Sequence, residues 1–404
     1  MATKIRVSRF KPMVSLAPGY DHLINGCVIF LMIFGMLMTS SASISSKDGV
    51  VKEVLLSGLR QGAFIIVGLI AYDWLSNRFS WDWVRRNIMS LIAAQGLLLV
   101  ATRMFSESNG SYGWIKIPGL SLSLQPAEFA KAVVVLVIAV FIGDVKGRRL
   151  TQPWDMMRWP VIVYFFYIAV IIFVEKDFGS AFILAIIGCV CFMVPDHRYL
   201  RGAQVVAAAA ALTVIALTWF FMTDAGLAML SKIPFLGYKI DRFKAAADPL
   251  FDRYGSSYQL VNSLIGFARG GLWGVGFGNS IQKFGYLTYA DTDFIFAIVV
   301  EELGVLGVLA VFVPYGIILF NLFKYALLVR STADKVALIG TATLLFAHLF
   351  LNIGGVTALI PLTGVPLLLI SRGGSSLCVT MMMLGISQNV ISRYRSTVAP
   401  AARA

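Results

Sequence analysis

The sequence predicts an all-α polytopic membrane protein. It reads as about ten transmembrane helices, both termini cytoplasmic, and a large extracytoplasmic loop between helices 7 and 8. Three observations predict this. Of the 404 residues, 58% are hydrophobic and only 14% charged, with a mean hydropathy of +0.80; a soluble chain carries about 25% charged residues. The apolar residues gather in runs long enough to cross a bilayer as helices, and the alternating ~10-residue strands of a barrel are not seen. Lys and Arg fall mainly in short loops between those runs.

Taken in order, the N-terminal MATKIRVSRFKP is basic and polar, and the first apolar run covers 22–43. It ends in TSSASIS, and small residues after an apolar core also suit a signal peptide. A retained helix fits the even number of spans derived below. Further runs lie near 54–74, 87–105, 125–143, 159–174, 178–194, 203–223, 293–323, 335–353 and 374–391. EKDFG makes a tight return between the fifth and sixth. The four cysteines, Cys27, Cys189, Cys191 and Cys378, all sit in apolar runs, which fits buried small hydrophobes and neither zinc nor disulfides.

One side of the membrane receives Lys4, Arg6, Arg9 and Lys11, then Arg78, Arg85 and Arg86, then Lys146, Arg148, Arg149 and Arg158. Arg198, Arg201, Lys324, Arg330, Lys335, Arg393 and Arg395 follow on the same side. That side is cytoplasmic by the positive-inside rule and holds both termini, so the number of spans is even. The chain reads as one integral membrane domain over 1–404, with tails at 1–20 and 392–404. The net charge of +13 is explained largely by these loops, and no nucleic-acid partner is expected.

The longest outward loop, 224–292, breaks the pattern. It carries Lys232, Lys239, Arg242, Lys244, Arg253, Arg269 and Lys283. Long loops translocate regardless of charge. The loop is either a solvated basic surface touching lipid head groups or a site for a multiply charged anion such as a diphosphate. Within it, SYQLVNSLIGFA has the spacing of a short amphipathic helix, and GGLWGVGFG supplies flexible backbone. No strand precedes those glycines and no Gly-Lys-Ser/Thr follows, so a nucleotide loop is not indicated.

Polar residues inside apolar runs mark candidate chemistry. Asp293 stands where the loop meets the eighth span. It is either functional or part of a cap, since Asp291 or Thr292 in DTDFIF could cap the helix. Asp293 and Glu301 lie eight apart, near one helical face, and Glu302 points elsewhere. Glu128 and Lys131 are three apart on the fourth span, a locking ion pair or the wall of a polar cavity. Asp177 reads as a cap of the sixth span. His348, four residues from Asn352, reads as a hydrogen-bond partner of a neighbouring helix. The segment NIGGVTALIPLTGVPLLLISRGGSS is apolar but broken, which is tolerated at membrane depth only where it lines a cavity or packs on protein. Ser375 and Ser376 sit at the mouth of the last span.

These residues fall into stretches that resemble the SEDS family (shape, elongation, division and sporulation), closest to its FtsW branch. The stretches are WIKIPGLSLSLQPAEFAK, KDFGSA, DPLFDRYGSSYQL, GGLWGVGFGNSIQKFGYL, TDFIFAIVVEELG and the broken segment above. The resemblance implies a peptidoglycan glycosyltransferase that polymerises lipid II, an undecaprenyl-diphosphate-linked disaccharide-pentapeptide, at the outer face of the bacterial cytoplasmic membrane during division. It implies a class B penicillin-binding protein and other membrane proteins of the division apparatus as partners. It carries the catalytic aspartate to Asp293, the QPxExxK pair to Glu128 and Lys131, and the cavity arginine to Arg242. Gln282, Lys283, Ser375 and Ser376 complete the expected substrate-binding set. The family often has His where this chain has Asp291, and the usual Tyr of S-Y-G-G-S-S is Arg372. The two new charges either tune substrate or partner contacts or compensate each other. LTYA also replaces a Leu-Pro-Glu-Ala type stretch.

The chemistry agrees with that expectation. Glycosyl transfer needs a base for the acceptor hydroxyl and cations for the departing diphosphate. Asp293 supplies the first and Lys or Arg from 232–283 the second. A divalent cation, Mg2+ or Mn2+, suits a diphosphate, but no ligand cluster announces one. The competing readings are a transporter that flips the lipid-linked precursor and a division scaffold without chemistry.

Overall fold

The computed structural model describes residues 16–44, 50–105, 107, 111–116, 123–143, 154–232 and 237–401. The cations expected at Lys4, Arg6, Arg9, Lys11, Lys146, Arg148 and Arg149 lie outside the described residues. Each of the ten expected spans falls on a helix. In chain order these are α1 (His22–Ala42), α2 (Val50–Arg78), α3 (Trp81–Ala101), α4 (Pro126–Phe141), α5 (Trp154–Val170), α6 (Phe178–Met193) and α7 (Arg201–Phe220). After the outward loop come α11 (Ile295–Leu328), α12 (Thr332–Val356) and α13 (Gly374–Ala401). Seven of these helices are long and apolar enough to cross a membrane on length and composition alone. The other three are α2, which carries charges along its 29 residues, and α4 and α6, of 16 residues each.

The two short helices, α4 and α6, pack against each other and against α12. α4 begins with Pro126 in its first turn, where a missing N–H costs nothing. It buries Ala127, Glu128, Ala130, Lys131 and most of the valines that follow. α12 packs against α4, α6, α11 and α13, and α13 packs along α2. α7 is the opposite case, a span with none of its residues buried. α13 runs on past the expected membrane edge to Ala401.

The outward loop folds into α8 (Asp224–Leu230), α9 (Gly237–Ala247) and α10 (Tyr258–Gly270). α10 occupies the stretch whose spacing predicts a helix, and it buries Leu260 and Val261. The only strands among the described residues are β1 (Ile115–Lys116) and β2 (Ser123–Leu124), an antiparallel pair. The EKDFG turn is tight as expected. Residues Ile171–Glu175 wind as a π-turn and Lys176 is left-handed at φ 58°.

The eighth span differs from the single helix expected over 293–323. At Gly304 the backbone has φ 58° and ψ −140°, which breaks α11 into 295–303 and 305–328. In an unbroken helix Phe296 and Phe312 would stand about 24 Å apart. Their ring centroids are 6.2 Å apart, so the first half folds back beside the second. The glycine stretch after α10 makes this break tolerable. Val275 N–H donates to the Glu301 carbonyl (2.9 Å), Gly276 N–H to the Glu302 carbonyl (3.0 Å), and Val305 N–H to the Leu272 carbonyl (3.1 Å). Backbone groups released by the break are thus paired again, as burial requires.

Candidate active site

The broken segment between α12 and α13 is the hub of the site. Its Leu362 carbonyl accepts from Arg242 Nη1 at 2.9 Å. Its Val365 carbonyl accepts from Asn352 Nδ2 at 2.8 Å, and its Pro366 carbonyl bonds His348 Nδ1 at 3.1 Å. At Gly364, where φ is +71°, a Cβ would stand 3.6 Å from Asp293 Oδ2. Apolar backbone at this depth is therefore packed on protein and lines the site, as the sequence requires of it.

Three successive carbonyls hold the corner that carries Asp293. Arg372 N–H donates to the Asp291 carbonyl (2.8 Å), Ser371 Oγ to the Thr292 carbonyl (2.7 Å), and Asn352 Nδ2 to the Asp293 carbonyl (2.7 Å). The capping alternative does not hold. The N-cap of α11 is Phe294, and no side chain caps it. Asp293 is half-buried, and among the described residues its carboxylate takes no hydrogen bond. Burial pushes that carboxyl from 3.8 up to about 6, against the pull of Arg242 and with the help of Asp291 and Asp177. The two charges that depart from the family pattern compensate each other: Arg372 Nη1 pairs with Asp291 Oδ2 at 2.6 Å.

Glu128 and Lys131 form a buried ion pair at 2.6 Å, with side chains 3% and 1% exposed. The pair extends to a third member, His348, whose Nε2 lies 3.1 Å from Lys131 Nζ. A carbonyl only accepts and an ammonium only donates. His348 therefore carries its proton on Nδ1, toward Pro366, and accepts from Lys131 through Nε2. Asp177 caps α6 through Ser180 N–H at 3.0 Å, as read from sequence. It also accepts from Gln125 Nε2 at 2.8 Å, while Gln125 N–H donates to Ser375 Oγ at 2.9 Å. Ser376, next on α13, is buried.

Gln282 and Lys283 are placed elsewhere. Lys283 Nζ is buried against Glu302 (3.1 Å), Ser41 Oγ (3.2 Å) and the Gly278 carbonyl (2.6 Å). Gln282 N–H donates to Glu301 (3.3 Å), which also binds Arg269 Nη1 (2.6 Å) and the Ser280 hydroxyl. Both glutamates are fully buried, so Glu302 is as engaged as Glu301. Of the loop cations, Arg269 and Lys283 are thus neutralised about two turns along α11, and Arg242 is the one whose charge acts on Asp293. Sequence reasoning left out Asn352, Ser371 and Asp177 as members of the site. Asn352 is visible in sequence one turn from His348, Asp177 is visible only as a helix cap, and Ser371 gives no signal beyond being polar at a loop end. Among the described residues no three His, Cys, Asp or Glu stand together in a way that could hold a metal ion.

Residues 21–396 match the family described as Cell cycle protein, which unites FtsW, RodA and SpoVE. The chain belongs to this family. A relative named probable peptidoglycan glycosyltransferase FtsW, from Halomonas elongata, is 30% identical over 94% of this chain and 93% of its own length. Stage V sporulation protein E of Bacillus subtilis is 30% identical over 93% of this chain and 97% of its own. Among solved structures, a chain of a peptidoglycan synthase complex that coordinates polymerization and crosslinking superposes with a TM-score of 0.70. It is 24% identical and covers 93% of this chain and 98% of that one. RodA of Thermus thermophilus gives a TM-score of 0.60 at 23% identity, over 93% and 97%. These two show that the family's membrane fold is the fold of this chain.

Proposed function

We propose that this family member is a peptidoglycan glycosyltransferase that polymerises lipid II at the outer face of the bacterial cytoplasmic membrane during cell division, with Asp293 as general base. The observation that carries the reading is the state of Asp293. The corner that carries it is clamped by three hydrogen bonds, its carboxylate is uncommitted, and burial moves its acidity toward neutrality. A general base works best with a pKa near the operating pH. Asp293 takes the proton of the acceptor sugar hydroxyl as that oxygen bonds to the donor's anomeric carbon. The bond from that carbon to the diphosphate breaks, and the undecaprenyl diphosphate leaves with the electron pair. Arg242 offsets the charge that develops on the leaving group. The Glu128–Lys131–His348 chain braces the broken segment through the Pro366 carbonyl. A divalent cation would assist the same diphosphate, but a resident metal centre does not fit the described residues.

The test is glycan-strand formation from lipid II by the purified protein. Asp293→Asn is expected to lower the rate by about 10²–10⁴-fold, the usual worth of a positioned base, with folding intact. Wild-type rates in that variant would remove the assignment. The same assay in detergent separates synthesis from transport, because flipping has no meaning without a bilayer. The two breaks at Gly304 and in 357–373 give the transport reading its one foothold. Both lie in the C-terminal part of the chain, however, and inverted repeats place such breaks in corresponding positions of the two halves. The solved complex of like fold couples polymerization to crosslinking. We infer a crosslinking partner of the class B penicillin-binding type for this chain, acting at the division septum with other membrane proteins of the division apparatus.

A further inference from the structure

We propose that Arg372 is a positioning residue for Asp293. By pairing with Asp291 it latches the Asp291–Asp293 corner to the segment ahead of the last helix and keeps the neighbouring carboxylate neutralised. The inference rests on the reading of Asp293 as the base.

The geometry gives Arg372 two grips on one residue. Its backbone N–H donates to the Asp291 carbonyl at 2.8 Å, and its guanidinium meets Asp291 Oδ2 at 2.6 Å. Ser371, its neighbour, holds the next carbonyl, that of Thr292. The latch therefore fixes the register between two stretches about 80 residues apart in sequence. A planar guanidinium is suited to this, since its donors leave in fixed directions. The pair is not a buried lock: the two side chains are 40% and 15% exposed. Its stabilising worth as a surface contact is small, so its consequence is to be sought at the site.

That consequence is electrostatic. Four charged groups bear on Asp293 or its neighbour: Arg242 from α9, Asp291 from its own corner, Asp177 from the start of α6, and Arg372 against Asp291. Two carboxylates this close oppose each other's ionisation. Arg372 cancels Asp291, which leaves Arg242 opposite Asp177. Without Arg372, Asp291 stands unpaired beside the base and the balance turns negative. A negative site holds the proton on Asp293 to higher pH and opposes the approach of a diphosphate.

The experiment measures kcat and KM for lipid II polymerisation against pH in wild type, Arg372→Gln, Asp291→Asn and the double variant. In Arg372→Gln the acid limb of kcat is expected to move to higher pH by about one unit. The double variant is expected to return the limb to its wild-type place, because both charges are gone. Arg372→Lys, which keeps the charge without the fork, should hold the limb while lowering kcat, and it serves if the Gln variant is poorly folded. A limb that stays put in Arg372→Gln, an unchanged kcat in Arg372→Lys, or loss that adds independently in the double variant overturns the latch. If wild type shows no acid limb, or Asp293→Asn retains one with full activity, the base reading itself has failed and the latch falls with it.

Discussion

As the proposed base, Asp293 must be ionised to accept a proton, and burial pushes its carboxyl from 3.8 up to about 6. The rate of polymerisation is therefore expected to rise with pH through about 6 and to level off above it. Stability runs the other way. The folded state binds this proton more tightly than the unfolded chain does, so the contribution is full below 3.8 and is lost as pH rises through about 6. Asp293→Asn is accordingly expected to raise the thermal midpoint relative to wild type at pH 7 and not at pH 4. Midpoints measured at the two pH values check this, and equal offsets would show that the carboxyl is not held back by burial. His348 offers a second check at this scale. His348→Ala leaves the Lys131 ammonium and the Pro366 carbonyl short of a partner, at about 1–3 kcal/mol for each buried group. His348→Gln keeps one acceptor and one donor within reach and should recover much of the lost midpoint. The sequence announced Asp293, Glu128 and Lys131 because charge inside apolar runs is conspicuous. For Asp291 and Arg372 it offered compensation as one of two alternatives, and their contact decides between them; two single charges far apart in the chain do not by themselves fix the pairing.

The ten helices were legible as runs of apolar residues, and α4 begins at Pro126, one residue into the run expected from 125. The break in α11 was not legible. Apart from Asp293, Glu301 and Glu302 the stretch 293–323 is apolar on every face, so it has no periodicity to interrupt, and glycines are ordinary in membrane helices. What makes Gly304 a turning point is the loop over 272–276, which pairs the backbone groups set free there. The side chains of Glu301 and Glu302 hold the residues on either side of that loop, Arg269 and 280–283, and this is why Lys283 and Gln282 look like free loop residues in sequence yet are bound in the structure. A prediction separates the two roles. Lys283→Met leaves Glu302 buried and uncompensated, at about 3–5 kcal/mol. Lys283→Met with Glu302→Gln removes both charges and should regain most of the thermal stability and, with it, polymerisation. If the double variant is stable but inactive, Lys283 acts on substrate after all.

At the scale of the whole molecule, the chemistry sits at one end of the bundle and a polar lock at the other. Asp21 caps α1 and receives Arg395 Nη2 (2.5 Å) and the Tyr325 hydroxyl (2.9 Å), tying the beginning of α1 to the ends of α11 and α13. Gln388 clasps the Asp21 backbone through N–H (2.8 Å) and carbonyl (3.1 Å). Asp334 does the same for the starts of α3 and α12, accepting from Trp81 Nε1 (2.7 Å) and Arg393 Nη2 (3.1 Å). These bonds join helix ends on the basic, cytoplasmic side, where the loops are short. The outward side keeps the long loop, the folded-back half of α11 and the broken segment. Arg395 is 20 residues along α13 from Ser375, about 30 Å of helix. Arg395→Ala leaves Asp21 nearly buried without its charge partner, with the Tyr325 hydroxyl still donating to it, and a loss of about 1–3 kcal/mol is expected. Sites this far apart with no shared partner add independently. Thermal shifts of Arg395→Ala and His348→Ala should therefore sum in the double variant, and the acid limb of the rate should not move in Arg395→Ala alone. A limb that did move would mean that α13 carries a change at the cytoplasmic lock across the membrane to the latch at Arg372, so that the two ends work as one rigid lever and not as a fixed base beneath an independent site.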